Sequence, residues 1–252
     1  MVNKTNLPYP KDEYIDLLRD FYSAINGKDS FDQVKEWHGE KWSATVHCSR
    51  GKILEKAGFS RVHLVGGMVN ESPADLSLFE TLVYPGNPKV PGFIIMTNMN
   101  ASEAMGSILV LYLDLIIQDG KSHEQEKSLF ADAVKRICEK HGHDAEEYKG
   151  MMAGGRLLGG NAAQCGLLNF FEEKDIPLLE DLIKGILPVY KNIVDNTKNE
   201  QPHKEDYEMM NKSRARMIEW IILEDYGTRV ARENGISSEA IEAYGFPPVI
   251  RY

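Results

Sequence analysis

Three apolar segments rich in strand-forming residues, in the middle of the chain, constrain its fold more than any other feature. They cover Leu76 to Tyr84, Phe93 to Thr97 and Ile108 to Ile117, and the first two are separated only by PGNPKVPG, which contains three prolines and two glycines. Short connections of this kind join antiparallel strands, because parallel strands need a crossover of a dozen or more residues. The segments therefore predict neighbouring strands of a mainly antiparallel sheet.

Further strands and helices extend this pattern along the chain. Helical spacing of apolar residues predicts helices over residues 11–25, 124–141 and 176–194, with a short helix beginning near Ser237. The remaining predicted strands cover residues 42–48, 52–55, 59–65 and 167–171. The total of about seven strands predicts an α+β fold (α/β/α sandwich), a large, mostly antiparallel sheet flanked by helices on both faces. No linker interrupts the chain, so residues 1–252 are predicted to form a single domain.

The stretch SRARMIEWIILEDYGTR, from Ser213 to Arg229, carries the first candidate site. We interpret it as a strand in which Arg214 and Arg216 point the same way, because side chains alternate between the faces of a sheet. Two guanidiniums on one face suit an anionic ligand, since each can hold a carboxylate through two hydrogen bonds. The alternative is a solvated face. Asp225 comes after the apolar part of the stretch and is predicted to lie at its rim.

A single acid inside an apolar run, and two histidines in strands, are candidate proton donors. Asp114 lies in ILVLYLDLII, where burial would either pair the carboxylate with a base or raise its pKa. The alternative is that Asp114 ends the strand and caps the next segment of the chain. His47 and His63 lie in predicted strands, where a histidine is either a hydrogen-bonded core residue or a proton donor that faces a ligand.

Charge and composition exclude several function classes. A formal net charge of −9 argues against a general nucleic-acid or membrane-surface binder, since both need a basic footprint. Cys48, Cys138 and Cys165 are too far apart for a metal knuckle and too few for a disulfide framework, and no metal site is predicted. The glycine-rich residues 150–166 lack the surroundings of a phosphate-binding loop and predict a mobile loop. The chain shows neither a signal peptide nor about 18 consecutive apolar residues, so a cytoplasmic location is expected.

Four separated motifs resemble those of the oxygen-dependent coproporphyrinogen III oxidase family. In chain order they are G-x-x-x-E-K-A-G at Gly51 to Gly58, P-x-N-P-x-V-P at Pro85 to Pro91, R-x-R-x-x-E with D-x-G-T at Arg214 to Thr228, and E-A-I-x-x-x-x-P-P-x-x-R-x-Y at Glu239 to Tyr252. This resemblance implies a flat antiparallel sheet between helices, a tetrapyrrole bound on one side of it and a homodimer.

The departures from the oxidase pattern point to a related chemistry. The Thr, His, Asn and Arg series of the family is replaced by Gly92, Ile94, Met96 and Asn98, its His-Arg-Gly-Glu signature is reduced to LLNFFEE, and Tyr226 stands where the family has arginine. The chain is also distantly similar to the ferredoxin-dependent bilin reductases. That similarity implies no cofactor bound by the protein itself, electrons from ferredoxin, and protons from histidine and acidic residues to a bound linear tetrapyrrole.

These resemblances lead to three hypotheses of different class. The first is an oxidoreductase that reduces a bilin such as biliverdin. The second is coproporphyrinogen III oxidase, which decarboxylates propionates in haem biosynthesis, and the third is a tetrapyrrole-binding protein without catalysis. For the first, the expected catalytic residues are His63, Asp114 and Asp225; the expected substrate-binding residues are Arg214, Arg216, Lys89, Asn87, His47 and Tyr226; and the candidate ferredoxin-docking residues are Lys52, Lys56 and Arg61.

Overall fold

The computed structural model describes residues 5–27, 31–69, 71–103, 106–148 and 157–248 of the chain. Within these ranges the chain forms one seven-stranded sheet in which every strand pairs with its sequence neighbours, in the order β1 to β7. Each pairing is antiparallel. The strands are β1 Phe31–His38, β2 Trp42–Arg50, β3 Leu54–Val69, β4 Ser72–Pro85, β5 Gly92–Ser102, β6 Gly106–Ile116 and β7 Leu167–Phe171. The antiparallel α+β fold predicted from the sequence is therefore confirmed.

Helices cover both faces of this sheet. They are α1 Glu13–Asn26, α2 Glu124–Lys140, the single turn α3 Leu157–Gly160, α4 Ile176–Thr197, α5 Lys204–Leu223, α6 Tyr226–Glu233 and α7 Ser238–Gly245. The core of one face joins α1, α2 and α4 to odd-numbered strand residues such as Phe59, Phe79 and Phe93. The cores of the other face join α3, α5, α6 and α7 to even-numbered strand residues such as Val62 and Tyr112. Apart from the ends of β3, where the register shifts, the odd or even number of a residue in the core of β2 to β6 thus tells which helical layer its side chain meets.

The strand predictions differ from the structure at the start of the sheet. Residues 52–55 and 59–65 were expected to form two strands, but residues 54–69 form the single 16-residue strand β3. The first strand, β1, was not predicted at all. Its residues are largely exposed, because β1 is an edge strand that is stabilised by its ladder with β2 rather than by an apolar face.

The strand predicted over Ser213 to Leu223 is wrong, because this segment is the second half of helix α5. The helix begins at Lys204, where Asp206 accepts a hydrogen bond from the backbone N–H of His203 at 2.8 Å and closes a capping box. Its buried residues recur at helical spacing, as Met210, Arg214, Met217 and Ile221 show. The apolar pattern from Ser213 onwards covers only half of this helix, and the helical period is not visible in the apolar residues of that half alone.

Two sequence predictions fall partly outside the described residues. Residues 149–156 of the glycine-rich stretch are not among them, and the part that is described contains the turn α3 and the bend that leads into β7. The last four residues, 249–252, which end the fourth motif, also lie outside. In the described ranges, no helix is both long and apolar enough to span a bilayer.

Candidate functional site

An apolar cleft of about 540 Å³ lies between the sheet and the helices α5, α6 and α7. Its floor is formed by even-numbered residues of β2 to β6, and its wall by the end of α5 together with α6 and α7. The floor residues are Val46, Val62, Leu64, Leu76, Leu78, Glu80, Ile94, Met96, Asn98, Asn100, Ile108, Val110 and Tyr112. A cleft of this size, apolar with a few polar groups, is typical of a binding site for an organic molecule.

Glu80 places a carboxyl group in the floor of this cleft. Burial, the largest cause, and the nearby charge of Asp225 both raise the pKa of Glu80, a hydrogen bond from the Tyr244 hydroxyl opposes them, and the net result is a pKa of about 8. The same surroundings raise the pKa of Tyr244 itself well above its usual value, mainly through burial. Glu80 is therefore mostly a neutral carboxylic acid near pH 7, in a position to give up a proton.

Asp225 is the second carboxyl group of the cleft. It is the N-cap of α6, and one of its oxygens accepts the backbone N–H of Thr228 at 2.6 Å. Burial raises its pKa, and the hydrogen bonds from Thr228 and Gly227 counteract part of that rise. The charge of Asp225 raises the pKa of Glu80, so Asp225 favours the protonated form of Glu80 in the same apolar cleft.

The sequence around Glu80 carries the same kind of signal as the sequence around Asp114. In Leu76 to Tyr84, the residues that alternate onto one face are Leu76, Leu78, Glu80, Leu82 and Tyr84, so Glu80 is the single acid on an apolar face. Sequence reasoning missed it, although a lone acid among apolar residues was the reason for choosing the acid on β6. Tyr244 gives no comparable signal, because only the tertiary packing of α7 brings it to the sheet.

Asp114 lies on the same face of the sheet but does not line the cleft. It is fully buried, and its carboxylate accepts the backbone N–H groups of Leu115, Gln164, Cys165 and Gly166 at 2.8 to 3.1 Å. The Cys165 thiol donates to the same group at 3.2 Å. Burial raises the pKa of Asp114, while these hydrogen bonds oppose the rise. Its observed contacts tie the segment before β7 to β6.

Both strand histidines lie on the opposite face of the sheet from the cleft. His63 is 5% exposed, and its Nδ1 lies 3.2 Å from the Thr5 hydroxyl. The ring of His47 stacks on Phe59 at 5.0 Å between centroids, and burial lowers its pKa, with the charge of Arg19 acting in the same direction. The structure therefore does not bring these histidines together with Asp225.

Arg214 and Asn87 line a second, polar cleft of about 740 Å³. Arg214 is 2% exposed, forms an ion pair with Glu55 at 3.0 Å and donates to the Pro85 carbonyl at 2.9 Å. Asn87 donates to the backbone carbonyl of Glu200 at 2.9 Å. The propionate-binding role predicted for Arg214 and Asn87 stays a prediction, and it belongs to a different cleft from Glu80.

The other predicted ligand contacts are dispersed. On helix α5, Arg216 points to the opposite side from Arg214 and is exposed, because residues two apart are about 200° apart around a helix. Lys89 is buried in ion pairs with Asp206 at 2.8 Å and Asp119 at 3.4 Å. Tyr226 does line the apolar cleft, and the guanidinium of Arg229 lies 5.1 Å from its ring centre.

The three cations predicted to dock ferredoxin do not form one patch. Lys52 is exposed, whereas Lys56 is 3% exposed and donates to the carbonyls of Glu242 and Phe246. Burial lowers the pKa of Lys56 to about 8. Arg61 is buried on the opposite face of the sheet from Lys56 and pairs with Asp12 at 3.0 Å.

In the part of the chain that the structure describes, no cluster of three metal-binding side chains is found.

Comparison with solved structures identifies the fold. The chain is similar to the crystal structure of tomato phytochromobilin synthase in complex with biliverdin, with a TM-score of 0.58 over 90% of this chain and 79% of that one. The identity is only 11%, so the likeness is one of fold. It agrees with the bilin-reductase side of the resemblance drawn from the sequence.

No family model and no curated protein matches the sequence. The four motifs that resemble coproporphyrinogen III oxidase therefore gain no support from sequence comparison, and neither does a role in haem biosynthesis.

Proposed function

We propose that this chain is a bilin reductase-type oxidoreductase that binds a linear tetrapyrrole such as biliverdin in the apolar cleft. The observation that carries the proposal is Glu80, a carboxyl group whose pKa is raised to about 8 in the floor of a ligand-sized cleft. The fold adds support, because the similar tomato protein was crystallised with biliverdin. The electron donor is a reduced ferredoxin, and the protein needs no cofactor of its own.

The reaction is the reduction of one double bond of the bilin. Two electrons enter singly from two molecules of reduced ferredoxin, which become oxidised, and two protons are added to the reduced bond. Glu80 gives the first proton and becomes a carboxylate. A proton from solvent then restores the Glu80 carboxyl group, which gives the second proton, and a further solvent proton returns Glu80 to its starting state. The charge of Asp225 raises the pKa of Glu80 and so favours each reprotonation.

The apolar floor has two roles in this scheme. It holds the flat pyrrole rings by burying their faces, because removal of apolar surface from water stabilises the complex. It also keeps water from the carboxyl pair, which maintains the raised pKa of Glu80. The proton donor and the binding surface are therefore parts of one structure.

The test mixes the purified chain with biliverdin and monitors the absorption spectrum anaerobically, with and without reduced ferredoxin. We expect a bound-bilin spectrum without ferredoxin and conversion to a reduced bilin with it. Glu80→Gln should bind biliverdin but convert it at least about 100-fold more slowly. Glu242→Gln, the same change at an exposed residue outside the cleft, is the matched control.

Other outcomes would contradict the proposal. Binding without conversion by the wild-type chain would indicate a tetrapyrrole-binding protein without catalysis. Oxygen-dependent decarboxylation of coproporphyrinogen III, tested in parallel, would indicate the oxidase reaction instead.

A further inference from the structure

Two buried polar atoms, on residues that line the apolar cleft, have no hydrogen-bond partner among the described residues. They are the hydroxyl oxygen of Tyr112 and the amide oxygen Oδ1 of Asn100. Both residues line the cleft, and Tyr112 is only 3% exposed. The great majority of buried polar groups in native proteins are paired, because an unpaired one loses its bonds to water without a replacement. We therefore expect these two atoms to form hydrogen bonds with a molecule other than the chain itself.

Tyr112 lies in the same row of the sheet as Glu80. On the ladder, Glu80 of β4 pairs with Met96 of β5, and Met96 pairs with Tyr112 of β6. Two strand spacings separate Glu80 from Tyr112, which is about 10 Å between backbones. Tyr112 belongs to an apolar cluster with Leu158 and Met217. Its hydroxyl is therefore a hydrogen-bond donor without an acceptor among these neighbours.

Asn100 ends a short chain of amides on β5. Its Nδ2 donates to Oδ1 of Asn98 at 3.1 Å, and Nδ2 of Asn98 contacts the Met96 sulfur at 3.5 Å. Oδ1 of Asn100 is thus left as the free acceptor. Asn100 pairs with Ile108, four residues before Tyr112 on β6, so the two unpaired groups are about 13 Å apart along the strands.

We propose that Tyr112 and Asn100 are ligand-contacting residues that orient an elongated ligand along β5 and β6. The Tyr112 hydroxyl donates to a carbonyl oxygen at one end of the ligand, and Asn100 Oδ1 accepts an N–H at the other. The class of ligand is a long, largely apolar molecule with amide-like groups at its two ends. This inference rests on the proposed function, since the terminal lactam rings of a linear tetrapyrrole each carry a carbonyl and an N–H.

The first test compares Tyr112→Phe with the wild-type chain. We expect the dissociation constant for biliverdin to rise about tenfold, because one ligand hydrogen bond is lost. The melting temperature of the ligand-free protein should stay equal or rise, because the substitution removes an unpaired hydroxyl. Tyr22→Phe is the matched control: its hydroxyl pairs with Thr81 at 3.0 Å on the other face, so this change should lower the melting temperature and leave the affinity unchanged.

The second test uses Asn100→Leu, which should also weaken biliverdin binding. Its ligand-free melting temperature does not bear on the inference, because the substitution also removes the hydrogen bond that Asn100 Nδ2 donates to Asn98. An unchanged affinity in both variants would overturn the inference. A lower ligand-free melting temperature of Tyr112→Phe would also overturn it, since the hydroxyl would then be paired within the protein or with an internal water.

These outcomes are distinct from failure of the proposed function. If the wild-type chain takes up no biliverdin, the proposed function is wrong. The ligand-free melting temperature of Tyr112→Phe then still decides the inference: an equal or higher value supports an unpaired hydroxyl that would bind another elongated ligand, and a lower value contradicts it.

Discussion

Glu80 and Asp114 are each the single acid of an apolar strand segment, and both lie on the same face of the sheet. Their surroundings nevertheless differ. Asp114 is sealed and accepts four backbone N–H groups and a thiol. Glu80 lines a cleft, has the Tyr244 hydroxyl as a hydrogen-bond donor and is close enough to Asp225 to be affected by its charge. Burial raises the pKa of both groups.

This comparison teaches that a buried acid in a strand does not by itself indicate catalysis. Its role depends on whether its oxygens already accept hydrogen bonds from the protein and whether a ligand can approach them. A carboxylate surrounded by fixed N–H donors stabilises a loop, whereas one in a cleft beside a second carboxyl group can exchange a proton. Asp114 therefore fits the structural role and Glu80 the chemical one.

The largest expected effect is on the rate of Glu80→Gln. Glutamine keeps the shape and the hydrogen bond with Tyr244 but cannot donate a proton, so we expect kcat for bilin reduction to fall about 10²- to 10⁴-fold. The dissociation constant for biliverdin should change little. Single-turnover kinetics with bound biliverdin measure the loss directly. A rate close to that of the wild type would remove Glu80 from the mechanism.

Asp114→Asn should affect stability instead of rate. The new NH₂ group would face backbone N–H donors, and the lost acceptor would leave buried donors unpaired, at a cost of about 3 kcal/mol. Urea denaturation measures this loss in the free energy of unfolding. The folded fraction should reduce bilin at close to the wild-type rate. A stable Asp114→Asn protein with a rate lowered by orders of magnitude would reverse the roles of the two acids.

The pH dependence separates the two acids in another way. The proton donor must be protonated, so kcat should fall as the pH rises through about 8, the value to which burial and Asp225 raise the pKa of Glu80. Because this pKa is higher in the folded than in the unfolded chain, the stabilisation from the bound proton is complete below the usual glutamate pKa and is lost as the pH rises towards about 8. The fall in kcat should disappear in Glu80→Gln and persist in Asp114→Asn, and the part of the stability change that occurs towards pH 8 should be lost in Glu80→Gln alone.

Tyr244→Phe should produce the smallest of these effects. Its hydroxyl lowers the pKa of Glu80, so its removal should shift the alkaline limb of the pH–rate profile to higher pH. The maximal rate should stay within a few-fold of the wild type. A limb that stays in place would show that Tyr244 does not contact the titrating group.

The fold was predictable from the sequence because its central strands carry their own evidence. The short connection PGNPKVPG between Leu76 to Tyr84 and Phe93 to Thr97 favours an antiparallel pairing of these two strands. Strand β1 was missed because an exposed edge strand has no apolar face to detect. Helix α5 was misread because the apolar pattern was taken from Ser213 onwards, whereas the helix begins at Lys204.

The site was predictable only in part. Asp225 and Tyr226 were expected at a ligand site and do line the cleft. His63 lies on the other face of the sheet from that cleft, and its role as a proton donor stays a prediction. A strand pattern alone does not tell which face a ligand uses. The charge of Asp225 and the hydroxyl of Tyr244 act on Glu80 from the second half of the chain, and no local sequence pattern encodes interactions over such a separation.

Infrared spectroscopy of the carboxyl groups tests the central claim most directly, which is that Glu80 is a neutral acid near neutral pH. We expect the carbonyl band of a protonated carboxyl group below the pKa, lost as the pH passes about 8. That band should be absent in Glu80→Gln and retained in Asp114→Asn. A spectrum of Glu80→Gln that matches the wild type across this pH range would contradict the account.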